Sequence, residues 1–158
     1  MSASHAERCC ALQALFQFDL GGGPTDSDLL ARSFRARAGE VRPRDPVYWE
    51  CDFPPEAVEC GMTLARAAWD SRADADRDVT ALAPEWPTNR QASVDRNILR
   101  IGYWELVHGG VPAPLAINGA VELAKVYSTE RSYAFINAIL DRIALSRAEH
   151  QAPGDRVT

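Results

Sequence analysis

Arg131, Phe135 and Arg142 are the residues in this chain whose types and spacing suit a recognisable chemistry. They lie in a segment whose apolar residues Ile136, Ile139, Leu140 and Ile143 recur at helical spacing and form an inward stripe. At roughly 100° per residue, the two arginines and the phenylalanine share one flank, about 100–140° from Ile136. An aromatic ring beside guanidinium groups fits an unpaired nucleobase and its phosphates, because the ring stacks and the cations neutralise charge. Periodicity by itself favours a plainer alternative, in which Phe135 completes the hydrophobic core and the arginines are solvated.

Other chemistries find no constellation to work with. The sequence has no P-loop, no G-x-G-x-x-G, no H-E-x-x-H and no G-x-S-x-G. Asp95 and Glu105 point in different directions on one helix, and Gly21–Gly23 ends a helix rather than following a strand. No enzyme, cofactor or metal site is expected. Cys9 and Cys10 are adjacent and diverge by about 100° on a helix. Cys51 and Cys60 form no C-x-x-C pair, and His5, His108 and His150 are scattered. All four cysteines read as buried reduced thiols.

A chain of 158 residues fits one compact domain. Its formal charge of −5 argues against a strong salt-driven grip on nucleic acid, yet leaves room for a local basic face. Lys125 is the only lysine among 17 basic residues. No apolar run is long enough to span a bilayer, and the first residues lack the order of a signal peptide, so a cytoplasmic location is expected.

The positioning elements read as helices throughout, with no alternating strand pattern. Ser4 and Glu7 have capping-box spacing for a first helix to about Leu20, burying Leu12, Leu15 and Phe16. Gly21–Gly23 and Pro24 stop it. A second helix is expected from Asp26 or Ser27 to about Ala38, then a loop over 39–55 with Tyr48, Trp49 and Phe53 folding back. A third runs from about Pro55 to Leu82, with Val58, Met62, Ala65 and Trp69 inward. After a hinge at Ala83–Pro87, Thr88 and Gln91 repeat the capping-box spacing and start a fourth helix, burying Ile98, Leu99, Ile101, Tyr103 and Leu106. Gly109-Gly110 ends it. A fifth helix near Pro114 buries Ile117, Ala120, Val121, Ala124 and Tyr127, with Asn118, Glu122 and Lys125 opposite. The sixth starts after Ser128 or Ser132. The result is an all-α bundle of about six or seven helices in two three-helix halves, 1–83 and 84–148, with a flexible tail over 149–158.

Three blocks carry a resemblance. Asp95-Arg96-Asn97-Ile98-Leu99-Arg100 with Tyr103-Trp104-Glu105-Leu106 resembles the E-R-x-I-L-R-x-x-x-Y-E-L signature of the NusB family of bacterial transcription antitermination factors. Ala116 to Lys125 is similar to that family's A-I-N-E-A-V-E-L-A-K. Ser132 to Asp141 resembles its S-x-x-F-V-N-G-V-L-D. A weaker match runs from Arg8 to Gln17. Gly119 stands where the family has Glu, Ser128 and Ala138 where it has glycines, and Ser4–Glu7 where it has several arginines.

The resemblance implies the same helical fold and a non-catalytic adaptor. Such an adaptor binds the boxA element of nascent ribosomal RNA leaders together with ribosomal protein NusE, and supports processive RNA polymerase elongation with other Nus factors. It implies an RNA contact at Arg8 and favours the stacking reading of Phe135; with Lys125, Arg131 and Arg142 these are the residues expected to meet RNA. It implies NusE contacts at Phe16, Asn89 and Asp95. Larger RNA methyltransferases carry a NusB-like domain, but the chain ends too soon after the match for a methyltransferase domain to be expected. The alternative is a divergent helical module that holds a protein partner, or self-associates as a homodimer, without specific RNA binding.

Overall fold

The structure is a computed structural model that describes residues 2–24 and 53–151. Among these residues it holds six α-helices and one 3-10 turn, with no strand. They are α1 (His5–Gly21), α2 (Pro55–Asp70), α3 (Arg72–Leu82), the 3-10 turn Thr88–Arg90, α4 (Ser93–Val107), α5 (Ala113–Tyr127) and α6 (Glu130–Gln151). The helix expected over residues 26–38, the loop aromatics Tyr48 and Trp49, and Cys51 lie outside the described residues.

Local chemistry accounts for most boundaries. The Ser4 hydroxyl accepts the Glu7 N–H at 3.2 Å, and the Glu7 carboxylate accepts the Ser4 N–H at 2.9 Å, so the expected capping box starts α1. Gly22 ends it at φ 79°, a left-handed conformation that favours glycine. The expected single helix over 55–82 is broken at Ser71. Its hydroxyl donates back to the Ala67 and Ala68 carbonyls at 3.1 and 3.3 Å, competing with helix propagation.

The second expected capping box is corrected. Thr88–Arg90 is a 3-10 turn without a side-chain cap, and α4 begins at Ser93. Thr88 instead works through its backbone: its N–H donates to Thr80 Oγ1 at 3.4 Å, and its carbonyl accepts from Arg96 at 3.1 Å. At the start of α6, Thr129 Oγ1 accepts the Ser132 N–H at 3.3 Å. That helix extends to Gln151, so the first residues of the expected tail are helical.

α1 and α4 are the central helices. α1 is buried continuously from Arg8 to Leu15, and α4 from Asn97 to Tyr103. α1 packs most extensively on α2 and also meets α4 and α5, while α4 touches α1, α2, α3, α5 and α6. A Cβ on Gly61 would come within 2.6 Å of the Cys10 Cβ and 2.8 Å of the Glu7 carbonyl oxygen, so this glycine sets the close approach of α1 and α2. One apolar cluster runs through all six helices.

The inward stripes of α2, α4 and α6 match expectation. Two details differ. In α1, Phe18 is buried and packs edge-on against Trp69, whereas Phe16 is half-buried. In α5 the buried set is Ala116, Gly119, Ala120, Leu123 and Ala124, with Ile117, Val121 and Tyr127 only half-buried. The real stripe is narrower and centred on small residues, because α5 packs closely on three other helices. Phe53 is buried, as expected. Cys9 and Cys10 are buried thiols outside any disulfide, but Cys60 is exposed, which corrects that expectation. Burial, with the neighbouring Cys9, pushes the Cys10 thiol up to about 12.

Candidate nucleic-acid interface

The flank of α6 is assembled as its spacing suggests. Ile136, Ile139, Leu140 and Ile143 anchor the helix, leaving Arg131 and Arg142 exposed and Phe135 half-buried. Phe135 packs against the core and keeps part of its surface exposed. This is an intermediate between the two sequence readings: a ring fixed by packing, with area left for another ring. Arg142 Nη1 donates to the Leu82 carbonyl at 3.3 Å, which ties the flank to the end of α3. Lys125, in the last turn of α5, is exposed and pairs with Glu122 at 3.2 Å. Both side chains are about half exposed, so the pair is weak and the ammonium can exchange partners.

Arg8 is not part of this surface, and the expectation that it faces RNA is corrected. Its guanidinium is buried between α1, α4 and α5. Nε donates to both Glu105 carboxylate oxygens, at 3.2 and 3.1 Å, and Nη2 donates to Ser2 Oγ at 2.8 Å. Glu105 is 1% exposed. Burial raises its carboxyl above the usual range, partly offset by hydrogen bonding and charge from Arg8 and by the Ala3 N–H. Gly119 explains where Arg8 fits. A Cβ there would stand 2.3 Å from Arg8 Cζ, so the missing side chain is the space that the guanidinium occupies.

The residues expected at a protein contact lie elsewhere. Asp19, one turn after Phe16, receives hydrogen bonds from Ser93 at 3.1 Å, Arg96 at 2.5 Å and Asn97 at 3.2 Å. These bonds bring the end of α1 to the start of α4, where Asn89 and Asp95 lie. Asn89 is exposed. Asp95 is half-buried, and its carboxylate accepts from Ser128 Oγ at 2.5 Å and Ser132 Oγ at 2.8 Å. It therefore holds the α5–α6 turn, and with it the start of the Arg131–Phe135 flank.

Sequence reasoning missed a charged network beneath this region. Arg100 pairs with Asp76 at 2.7 Å and with Asp19 at 3.4 Å, and lies 5.7 Å from the Trp69 ring centre. Burial raises the Asp19 carboxyl, but hydrogen bonds from Arg96 and Asn97 and the charges of Arg100 and Arg96 outweigh it and hold it below the ordinary range. The i,i+4 spacing of Arg96 and Arg100 was visible, but their carboxylates come from remote parts of the chain. Among the described arginines, Arg8, Arg77, Arg96 and Arg100 hold carboxylates, and Arg72 stacks on Trp69 at 4.0 Å. Arg131 and Arg142 have no carboxylate partner among the described residues, and Arg142 meets only the Leu82 carbonyl there.

Comparison with known proteins places this geometry in a lineage. The profile described as the NusB family matches residues 5–145. The transcription antitermination protein NusB of Symbiobacterium thermophilum is 41% identical over 134 residues, covering 84% of this chain and 83% of its own. That of Solibacter usitatus is 32% identical over 157 residues, covering 99% of each. Among solved structures, NusB of T. maritima superposes with a TM-score of 0.66 at 29% identity, over 97% of this chain and 96% of the other. NusB from Aquifex aeolicus, at 22% identity, shares the fold with a TM-score of 0.67, covering 98% and 97%.

Proposed function

The chain belongs to the NusB family of transcription antitermination proteins, and from that premise we propose that it is an RNA-binding adaptor for boxA-type single-stranded RNA. Its partners in this reading are ribosomal protein NusE and the elongating RNA polymerase with other Nus factors, in the cytoplasm. It works by binding alone, with no catalytic step and no cofactor.

The observation that carries this reading is the half-buried ring of Phe135 between Arg131 and Arg142, neither of which has a carboxylate partner among the described residues. The core holds the ring in place, so little side-chain freedom is lost when a base stacks on it. Arg131, Arg142 and Lys125 lie on either side of the α5–α6 turn and neutralise the phosphates that follow. Phe16, Asn89 and Asp95, near the α1–α4 junction, are the candidates for NusE. The second reading, a protein-interaction module without RNA affinity, draws on the withdrawal of Arg8 into the interior and on the acidic balance of the chain.

Titration of boxA RNA at several salt concentrations, with and without NusE, separates the readings. Phe135→Ala is expected to weaken binding by about 1–3 kcal/mol with little change in salt dependence. Arg131→Ala and Arg142→Ala are each expected to reduce the logarithmic salt slope by about 0.7. A folded Phe135→Ala protein that binds as tightly as wild type, with NusE present, overturns the stacking role.

A further inference from the structure

A second aromatic–guanidinium pair lies in the turn that follows α3. Trp86 is 48% exposed, the only aromatic among the large exposed apolar side chains of the described residues. Its backbone is firmly held: its N–H donates to the Ala83 carbonyl at 2.9 Å, and its carbonyl accepts from Gln91 Nε2 at 3.0 Å. The exposure of the indole is therefore not the slack of a loose loop. Arg90 lies with its Cζ 5.9 Å from the Trp86 ring centre, is itself exposed, and has no carboxylate partner among the described residues. In the same turn Gln91 Oε1 is buried with no hydrogen-bond partner among the described residues, an acceptor that an amino or hydroxyl donor would satisfy.

The position of this turn links it to α6. Arg142 reaches the Leu82 carbonyl, the last residue of α3, and the chain turns directly from Ala83 to Trp86. Arg131, Phe135 and Arg142 on α6, and Trp86 with Arg90 in the turn beyond Leu82, alternate cations with aromatic side chains along two elements that Arg142 links. Phe135 and Arg142 are separated by about 10 Å of helix. Alternation of this kind tracks an extended single strand, with bases on rings and phosphates on cations. Glu85 is exposed beside Trp86, so the turn carries little net positive charge, and stacking has to supply most of its affinity.

We propose that single-stranded RNA bound on the α6 flank continues over the α3–α4 turn, with a base stacked on Trp86 and Arg90 at the adjoining phosphate. This rests on the RNA-binding reading above and extends its footprint. The test compares a boxA-type RNA of about six nucleotides with one of about twelve on the full-length protein. Trp86→Ala is expected to weaken the longer RNA roughly tenfold and leave the shorter one unchanged, whereas Trp86→Phe retains most of the affinity. Arg90→Ala is expected to lower the salt slope for the longer RNA only, by about 0.7. Because Trp86 is exposed, an unchanged unfolding midpoint for Trp86→Ala verifies that the fold is intact. If Phe135→Ala weakens both RNAs while Trp86→Ala and Arg90→Ala weaken neither, the RNA reading stands and this extension falls. If none of the variants changes RNA binding, both fall. Loss of NusE binding by Trp86→Ala without loss of long-RNA affinity assigns the turn to protein and also overturns the proposal.

Discussion

Arg8 shows how a single residue can be correctly noticed and wrongly placed. An arginine near the start of a first helix looks solvent-facing, yet here it is an internal counterion, held by Glu105 and seated against Gly119. Removing one member of a buried pair leaves the other charge uncompensated. Arg8→Ala is therefore expected to destabilise the fold by about 3–5 kcal/mol, read as a lower midpoint in urea. Any loss of RNA affinity should then track unfolding. Replacing Arg8 and Glu105 together with methionine should recover much of that stability, because no charge is left buried. An unchanged midpoint for Arg8→Ala would show that the guanidinium is dispensable to the core.

The helices differ in what starts and stops them. α1 has a complete capping box, while α4 follows a 3-10 turn and has no side-chain cap. Ser4→Ala is expected to cost about 1 kcal/mol by chemical denaturation, since it removes the acceptor for the Glu7 N–H. Thr88→Ala is expected to cost less, because its ordered hydrogen bonds are made by its backbone. The reverse ranking would contradict these boundaries. Ser71 has a functional consequence as well. By breaking the helix it lets α3 turn to meet both α4 and α6, and so bring the Leu82 carbonyl to Arg142.

At the level of the whole molecule, the network of Asp19, Arg96, Arg100 and Asp76 joins the end of α1 to the middle of α3 and the first half of α4. Its pH dependence has a definite sign. The Asp19 carboxyl is lower in the folded state than in the unfolded chain, so the folded state is favoured when it is ionised. That stability is present above the unfolded value of about 3.9 and is lost as pH falls through the lower folded value. Glu105, raised by burial, acts in the opposite direction. In urea unfolding across a pH series, the stability difference between wild type and Asp19→Asn is expected to be constant near neutrality and to shrink below about pH 4. A difference that grows on acidification would reverse the assignment.

Much of this protein is legible without coordinates, for physical reasons that differ between its parts. Helical periodicity depends on near neighbours, so the inward faces of α2, α4 and α6 follow from spacing alone, as does the grouping of Arg131, Phe135 and Arg142. The Ser4–Glu7 box and the Gly22 stop are equally local. The family was legible because three blocks in order are far more specific than any one motif. Thr88–Gln91 had the right pattern for a cap but formed a different turn, since capping-box spacing does not compel a helix to begin there. What remained belonged to contacts between distant residues. No spacing rule pairs Arg8 with Glu105, aligns Gly119 with a guanidinium from another helix, or narrows the α5 stripe to its small residues. Nor could the sequence link the turn that carries Trp86 to the α6 flank, because that link depends on Arg142 meeting the last carbonyl of α3. Sequence alone determined the all-helical class, the inward faces of α2, α4 and α6, and the family. The tertiary structure decided which charges are buried and which stay on the surface, because the free energy of a charge depends on the partners and solvent that packing leaves it.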